Sequence, residues 1–264
     1  MNGKLTGVDP RDRGLAYGDG LFETMAAAGG AIRWLDYHLE RLVAGCERLA
    51  IPAPRDAELR REIAAQTPPR DRAVIKVIVT RGIGARGYRP PADAVPTVIV
   101  GAAPWPSAHS ADPVALVTCA TRLGENPHLA GLKHLCRLEH VLAQLELQKR
   151  GLDEGLLLST SGHVVSATSN NVFAAFGARV CTPRLDRCGV RGVMRRLVLE
   201  ACVPLGLVAQ EVDLDVTDLT QADELFVTNS LFGVRPVCRL DDQTYAVGPV
   251  TRRLAARLGA IGSD

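Results

Sequence analysis

Residues 126–148 read NPHLAGLKHLCRLEHVLAQLELQ, and a single lysine stands there where a loop gives way to a helix. From His134 onward, Leu135, Leu138, Val141, Leu142 and Leu145 recur at helical spacing, which predicts a buried apolar stripe along one face. Lys133 lies at the mouth of that helix and is approached through Leu129-Ala130-Gly131. A rigid element entered through a flexible glycine suits an amine that must be held in place to react. A solvated lysine near a helix end is the plainer reading of position alone.

Composition shifts that balance. The chain carries 31 Lys and Arg residues, yet lysine occurs only at Lys4, Lys76, Lys133 and Lys149. Where a positive charge suffices the sequence writes arginine. A retained lysine therefore hints at chemistry a guanidinium cannot perform, such as forming an imine with a carbonyl.

With 264 residues, 47% of them hydrophobic, the chain can bury one large core or two modest ones, and two are expected. A formal net charge of +2 with interspersed signs offers no basic stripe for nucleic acid. No apolar run approaches a membrane span, and MNGKLTGVDPRDRG lacks the hydrophobic centre of a signal peptide, so a cytoplasmic protein is expected. The seven cysteines are scattered without a C-x-x-C pair and the six histidines show no ligand spacing. Small buried thiols are expected, with no disulfide framework and no metal.

Working outward, residues 21–28 and 31–35 flank Gly29-Gly30 as a hairpin. Asp36 should cap a helix with an apolar stripe at Leu39, Leu42, Val43, Cys46 and Leu49, and Arg41 falls just off that stripe. A polar helix over residues 56–65, a strand at residues 73–80 and a partner strand at residues 96–101 follow. The stretch AAPWPSAHSADP interrupts both periodicities. The expected organisation is a smaller domain over residues 1–103, a linker over residues 104–113 and a larger domain over residues 114–264 carrying Lys133. In the larger domain we expect strands at residues 114–119, 155–158, 163–167, 171–176, 207–212 and 224–228, and helices at residues 192–202 and 249–258. Short strands mixed with amphipathic helices, without regular βαβ alternation, favour an α+β fold.

Three segments have the chemistry to cradle a phosphate. Cys188-Gly189-Val190-Arg191-Gly192 opens a helix, where backbone N–H groups and the helix dipole favour an anion. Thr228-Asn229-Ser230 follows a strand and adds hydroxyl and amide donors, and Arg41 can supply a charge-assisted bond. Each match alone reads equally well as an ordinary turn or a solvated arginine. The glycine-rich run Thr80-Arg81-Gly82-Ile83-Gly84-Ala85-Arg86-Gly87-Tyr88 lacks the Gly-Lys-Ser/Thr ending of a nucleotide loop. Its arginines and tyrosine suit a substrate carboxylate, or simply a mobile surface loop.

Taken together, Tyr17-Gly18-Asp19-Gly20-Leu21-Phe22-Glu23, His38-Leu39-Glu40-Arg41-Leu42, the run around Lys133, Ser169-Asn170-Asn171-Val172-Phe173, residues 189–195 and residues 222–237 resemble the fold-type-IV pyridoxal-phosphate enzymes, a two-domain D-amino-acid-aminotransferase-like family. The resemblance covers nearly the whole chain in the family's order and spacing. Within the family, residues 81–88 and 126–141 look most like the aminodeoxychorismate lyases, which release 4-aminobenzoate and pyruvate for folate synthesis. The resemblance implies pyridoxal 5'-phosphate held covalently by Lys133. It also implies a phosphate cup from Arg41, the N–H groups of Val190 and Arg191, and Asn229 with Ser230, in a homodimer whose site lies between the domains. Arg86 and Tyr88 are the candidates for gripping the substrate.

One departure stands out. Ser166 occupies the place where the family usually has a glutamate facing the pyridine nitrogen, and residues 156–178 contain no acidic side chain. A carboxylate there keeps the nitrogen protonated, which makes the ring an electron sink. Serine cannot hold that charge. An elimination driven by aromatisation tolerates a weaker sink better than a transamination does, so Ser166 favours a lyase, as does Gly233 where aminotransferases commonly carry glutamate. A D-amino-acid or branched-chain aminotransferase, and a cofactor-binding protein without activity, are the alternatives.

Overall fold

The structure, a computed structural model, describes residues 7–106 and 112–259. Two compact units emerge: Met1–Ser107 with Leu132–Cys136, and Ala108–Gly131 with Arg137–Asp264. Residues 107–111 of the expected linker lie outside the described residues, and Pro104 already closes a strand of the first unit. Lys133 was expected in the larger domain; its segment instead belongs to the smaller unit.

In the first unit, α1 (Arg13–Tyr17), β1 (Gly20–Ala28), β2 (Ala31–Ile32), α2 (Leu35–Arg48), α3 (Asp56–Gln66), β3 (Ala73–Thr80) and β4 (Thr97–Pro104) follow in chain order. The strands form an antiparallel sheet in the order β2-β1-β3-β4. Strand β3 alternates, with Ala73, Ile75, Val77 and Val79 buried and Lys76 exposed, as a sheet covered on one face requires. Leu39, Leu42 and Cys46 of α2 are buried, and Gly45 lets α2 approach β1 closely, since a Cβ there would lie 2.8 Å from Leu21. The expected cap is corrected: Trp34, at φ +58°, precedes the helix and Asp36 lies in its first turn, where a carboxylate still favours the dipole.

The second unit contains β5 (Val114–Leu123), α4 (Leu138–Lys149), β6 (Gly155–Ser159), β7 (Val164–Ala167), β8 (Asn171–Phe176), β9 (Arg179–Pro183), α5 (Val193–Cys202), β10 (Val208–Val212), α6 (Val216–Thr220), β11 (Glu224–Asn229), β12 (Gly233–Leu240), β13 (Gln243–Thr244) and α7 (Pro249–Leu258). Its sheet runs β10-β9-β8-β11-β12-β5-β6-β7, with β13 paired to β12. The pairs β9/β10, β12/β5 and β5/β6 are parallel and the others antiparallel. Strand β6 is buried on both faces, which explains its unbroken GLLLS. Leu156 and Leu158 enter one core with Val114 and Val172, and Leu157 enters another with Ala143 and Leu147 of α4.

Helix α4 overturns the stripe expected from its sequence. Leu138 is 70% exposed, Val141 and Leu142 50%, and Leu145 47%, while the buried residues are Ala143 and Leu147. Leu147 packs where Gly155 has no side chain, for a Cβ at Gly155 would meet Leu147 at 3.1 Å. The helix thus has two apolar faces, and the narrower one is inside.

Candidate active site

Lys133 does not open a helix. Residues 133–135 run antiparallel along the edge of β1 beyond the short β2: Phe22 N–H donates to Lys133 O at 3.0 Å, and Leu135 N–H to Gly20 O at 3.0 Å. Four residues separate Lys133 from the first residue of α4. Two backbone bonds hold this segment, one of them at Lys133 itself, and Lys133 Nζ lies 4.3 Å from the centre of the Phe22 ring, within cation–π reach.

On the buried parity of β1, among Leu21, Met25 and Ala27, stands Glu23, 1% exposed. Arg41 on α2 donates to it from Nε at 2.8 Å and Nη2 at 2.5 Å, and His38 Nδ1 lies 2.6 Å from its Oε2. Burial works to raise the Glu23 pKa, but the Arg41 charge and the bonds from His38 and Arg41 outweigh it and hold it at about 2. Burial, with Arg41 and Lys133, lowers the His38 pKa against the pull of Glu23, so His38 is neutral at pH 7 with Nδ1–H donating. Arg41, expected on a phosphate, is therefore held by a buried carboxylate. The signal for this cluster was legible: a glutamate on the inward face of an apolar strand requires a partner.

In the second unit, the turn before α5 is built from glycines that tolerate no side chain. A Cβ on Gly189, at φ +88°, would lie 2.7 Å from Val165, and one on Gly192 would lie 2.1 Å from Asn171 Oδ1. Asn171 Nδ2 donates to Val190 O at 2.9 Å and Gly131 N–H to Gly189 O at 2.9 Å. Arg191 N–H donates to Gly131 O at 3.1 Å, so this expected phosphate donor is already engaged. Helix α5 starts from Gly192 without a side-chain cap, leaving its first-turn N–H groups to an anion. Thr228 sits opposite Asn171 in the β8/β11 register, and its buried hydroxyl has no hydrogen-bond partner among the described residues. Asn229 is committed to its own turn: Nδ2 donates to Asn170, and Oδ1 accepts from the N–H groups of Leu231 and Phe232. The hydroxyls of Thr228 and Ser230 are thus better placed to meet an anion than the Asn229 amide.

Ser166 is 6% exposed and pairs across to Leu157. The nearby carboxylate of Glu154, beyond the stretch read for acids, accepts from Thr168 Oγ1, Ser169 N–H and Oγ, and Asn170 Nδ2. It shapes the loop after β7. Gly233 lies at φ +75°, so the β11–β12 turn by itself accounts for glycine there.

In the glycine-rich loop, Arg81 proves structural. It is buried, clasps Asp19 through Nε at 2.8 Å and Nη2 at 3.0 Å, and donates to the carbonyls of Leu49 and Ala50. Arg86 and Tyr88 are exposed, Tyr88 by 85%. Among the described residues no helix is long and apolar enough to cross a membrane, and no three His, Cys, Asp or Glu side chains are grouped to hold a metal.

The chain is 44% identical to 4-amino-4-deoxychorismate lyase from Pseudomonas aeruginosa, with a TM-score of 0.92 over 97% of this chain and 96% of that one. Aminodeoxychorismate lyase from Vibrio harveyi is 36% identical over 96% of each chain. D-alanine aminotransferase from Bacillus licheniformis is 28% identical over 98% of this chain and 94% of its own. Residues 20–240 match the family described as Amino-transferase class IV. Matched to that family over most of its length and folded as a two-unit α+β chain, the protein is a member of the class IV amino-transferase family.

Proposed function

We propose that this protein is an aminodeoxychorismate lyase that converts 4-amino-4-deoxychorismate into 4-aminobenzoate and pyruvate with pyridoxal 5'-phosphate, working in the cytoplasm as a homodimer. The observation that carries the reading is Lys133, one of four lysines, fixed by backbone bonds to β1 in a chain similar end to end to two lyases. The residues fit the cofactor: the open first turn of α5 and the orphaned Thr228 hydroxyl suit a phosphate. Ser230, next to Thr228 and Asn229, joins this proposed cup within the second unit, and Arg41 in the first unit is bonded to Glu23. Lys133 lies two residues along the chain from Gly131, which is bonded to the α5 turn.

The bound cofactor supplies an aldehyde for an amine and a ring that withdraws electrons. Lys133 Nζ is the group proposed to take the proton from the substrate's ring carbon and return one as product forms. Arg86 and Tyr88 orient the substrate through its carboxylate. With Ser166 at the position of the family's glutamate, a bound cofactor ring would be a weaker electron sink, which an elimination that creates an aromatic ring withstands better than a transamination. The homodimer is supported by the exposed apolar face of α4, whose Leu138, Val141, Leu142 and Leu145 lie together.

The test supplies aminodeoxychorismate and measures pyruvate and 4-aminobenzoate in equal amounts. Glutamate formed from D-alanine or leucine with 2-oxoglutarate, and no pyruvate from aminodeoxychorismate, would replace the lyase by a transaminase.

A further inference from the structure

Arg13 is 4% exposed, carries a charge in a helix of one turn, and has no part in the chemistry above. Its guanidinium is used in three directions. Nε donates to Asp19 Oδ2 at 2.8 Å, Nη1 to Gly87 O at 2.9 Å and Nη2 to Tyr88 O at 2.9 Å. The same Asp19 accepts from Arg81. Burial works to raise the Asp19 pKa, but the bonds and charges of Arg81 and Arg13 outweigh it and leave it lowered, so the carboxylate anchors both guanidiniums near neutral pH. Tyr17 adds a further tie: its hydroxyl accepts from Gly87 N–H at 3.1 Å, and its ring meets that of Tyr88 edge to face at 5.4 Å. Gly84 gives Arg13 passage, since a Cβ there would lie 2.8 Å from Arg13 Cδ. Among the described residues, the exposed stretch around Arg86 is otherwise tied down by the pairing of Asp12 with Ile83 and its flanking backbone bonds.

We propose that Arg13 is a positioning residue for substrate binding: it clamps the Gly87 and Tyr88 carbonyls, and so sets where Arg86 and Tyr88 stand. The inference rests on the reading of Arg86 and Tyr88 as the substrate grip. Lysine cannot replace it, because one ammonium lacks the planar fork that reaches two adjacent carbonyls and a carboxylate together. Holding two groups in register beforehand strengthens binding, whereas loss of that order weakens binding more than it slows bond breaking.

Arg13→Lys in the holoenzyme tests this with two readouts. The first is trypsin cleavage after Arg86, which tracks how often the loop opens and needs no substrate. The second is turnover of aminodeoxychorismate. We expect cleavage to quicken about tenfold and KM to rise about tenfold, with kcat within about threefold and the cofactor spectrum unchanged. In the double variant Arg13→Lys/Arg86→Ala, KM should rise by clearly less than the product of the two single effects, because Arg13 acts in part through Arg86. Tyr17→Phe, which removes one bond from a partly exposed residue, should shift both readouts the same way by a few fold, and it decides the matter if Arg13→Lys does not fold. Unchanged cleavage overturns the clamp; faster cleavage with unchanged KM, or additive effects in the double variant, overturns its role in binding. If the wild-type protein turns over no aminodeoxychorismate, the lyase reading fails and the cleavage result still judges the clamp.

Discussion

Glu23→Gln isolates the charge at the centre of the first unit. The glutamate is 1% exposed and receives two bonds from Arg41 and one from His38. Glutamine keeps the shape but leaves the Arg41 guanidinium, 16% exposed, without its counter-charge. Removing one member of a buried pair costs about 3–5 kcal/mol. An independent route gives a similar figure: holding the carboxyl at about 2 rather than 4.5 corresponds to about 3 kcal/mol at neutral pH. A depressed carboxylate contributes stability that is complete above its unfolded pKa and lost as pH falls through the folded one. The difference between wild type and variant should therefore be about 3 kcal/mol at pH 7 and shrink by roughly half as the pH falls to 3. Both tryptophans, Trp34 and Trp105, lie in the first unit, so urea unfolding followed by tryptophan fluorescence reports on it. A difference below about 1 kcal/mol at pH 7, or one that stays constant down to pH 3, would refute the ion-pair argument.

Lys133→Ala should fold with wild-type urea stability within about 0.5 kcal/mol, because the segment is held by main-chain bonds, and should lose borohydride-trapped cofactor and turnover; trapping at another lysine would overturn the assignment. Gly192→Ala forces a Cβ to within 2.1 Å of Asn171 Oδ1, and displacing that side chain releases Val190 O, so equilibrium dialysis should show pyridoxal phosphate binding about tenfold weaker or worse, a loss of about 1.4 kcal/mol. Leu142→Asp, at a position 50% exposed, should halve the mass measured by light scattering at micromolar protein with little change in unfolding; an unchanged mass would remove α4 from the subunit interface.

Elements with a local signature were legible in the sequence. Strands β3 and β8 and helix α7 fall where alternation, flanking turns and an opening proline put them. Strand β12 was not, because Pro236 in its middle argues against a strand; the structure tolerates it since β5 pairs with β12 only from Val237 onward. Lys133 was singled out in the sequence but assigned the wrong setting. Its backbone pairs with residues 20–22, more than a hundred positions earlier, and no periodicity within residues 126–148 can disclose a partner that distant. The α4 stripe failed for the opposite reason: its spacing is amphipathic, but spacing says only that a face is apolar and not what covers it.

The polar groups divide by what already bonds them, and this division separates scaffold from site more sharply than residue type does. Arg81, Arg13, Glu154 and Asn229 carry the donors and acceptors expected of ligand binders, yet the bonds described above place each in the framework. Thr228 is the converse: buried, and with a hydroxyl that no described group satisfies. A buried hydroxyl without a partner costs about 1–3 kcal/mol, and a bound phosphate beside the α5 turn would offset that loss. Thr228→Val removes both the cost and the benefit. Its apoprotein should be at least as stable as wild type while its affinity for inorganic phosphate falls, and a variant that binds phosphate unchanged would mean that the hydroxyl serves the fold alone.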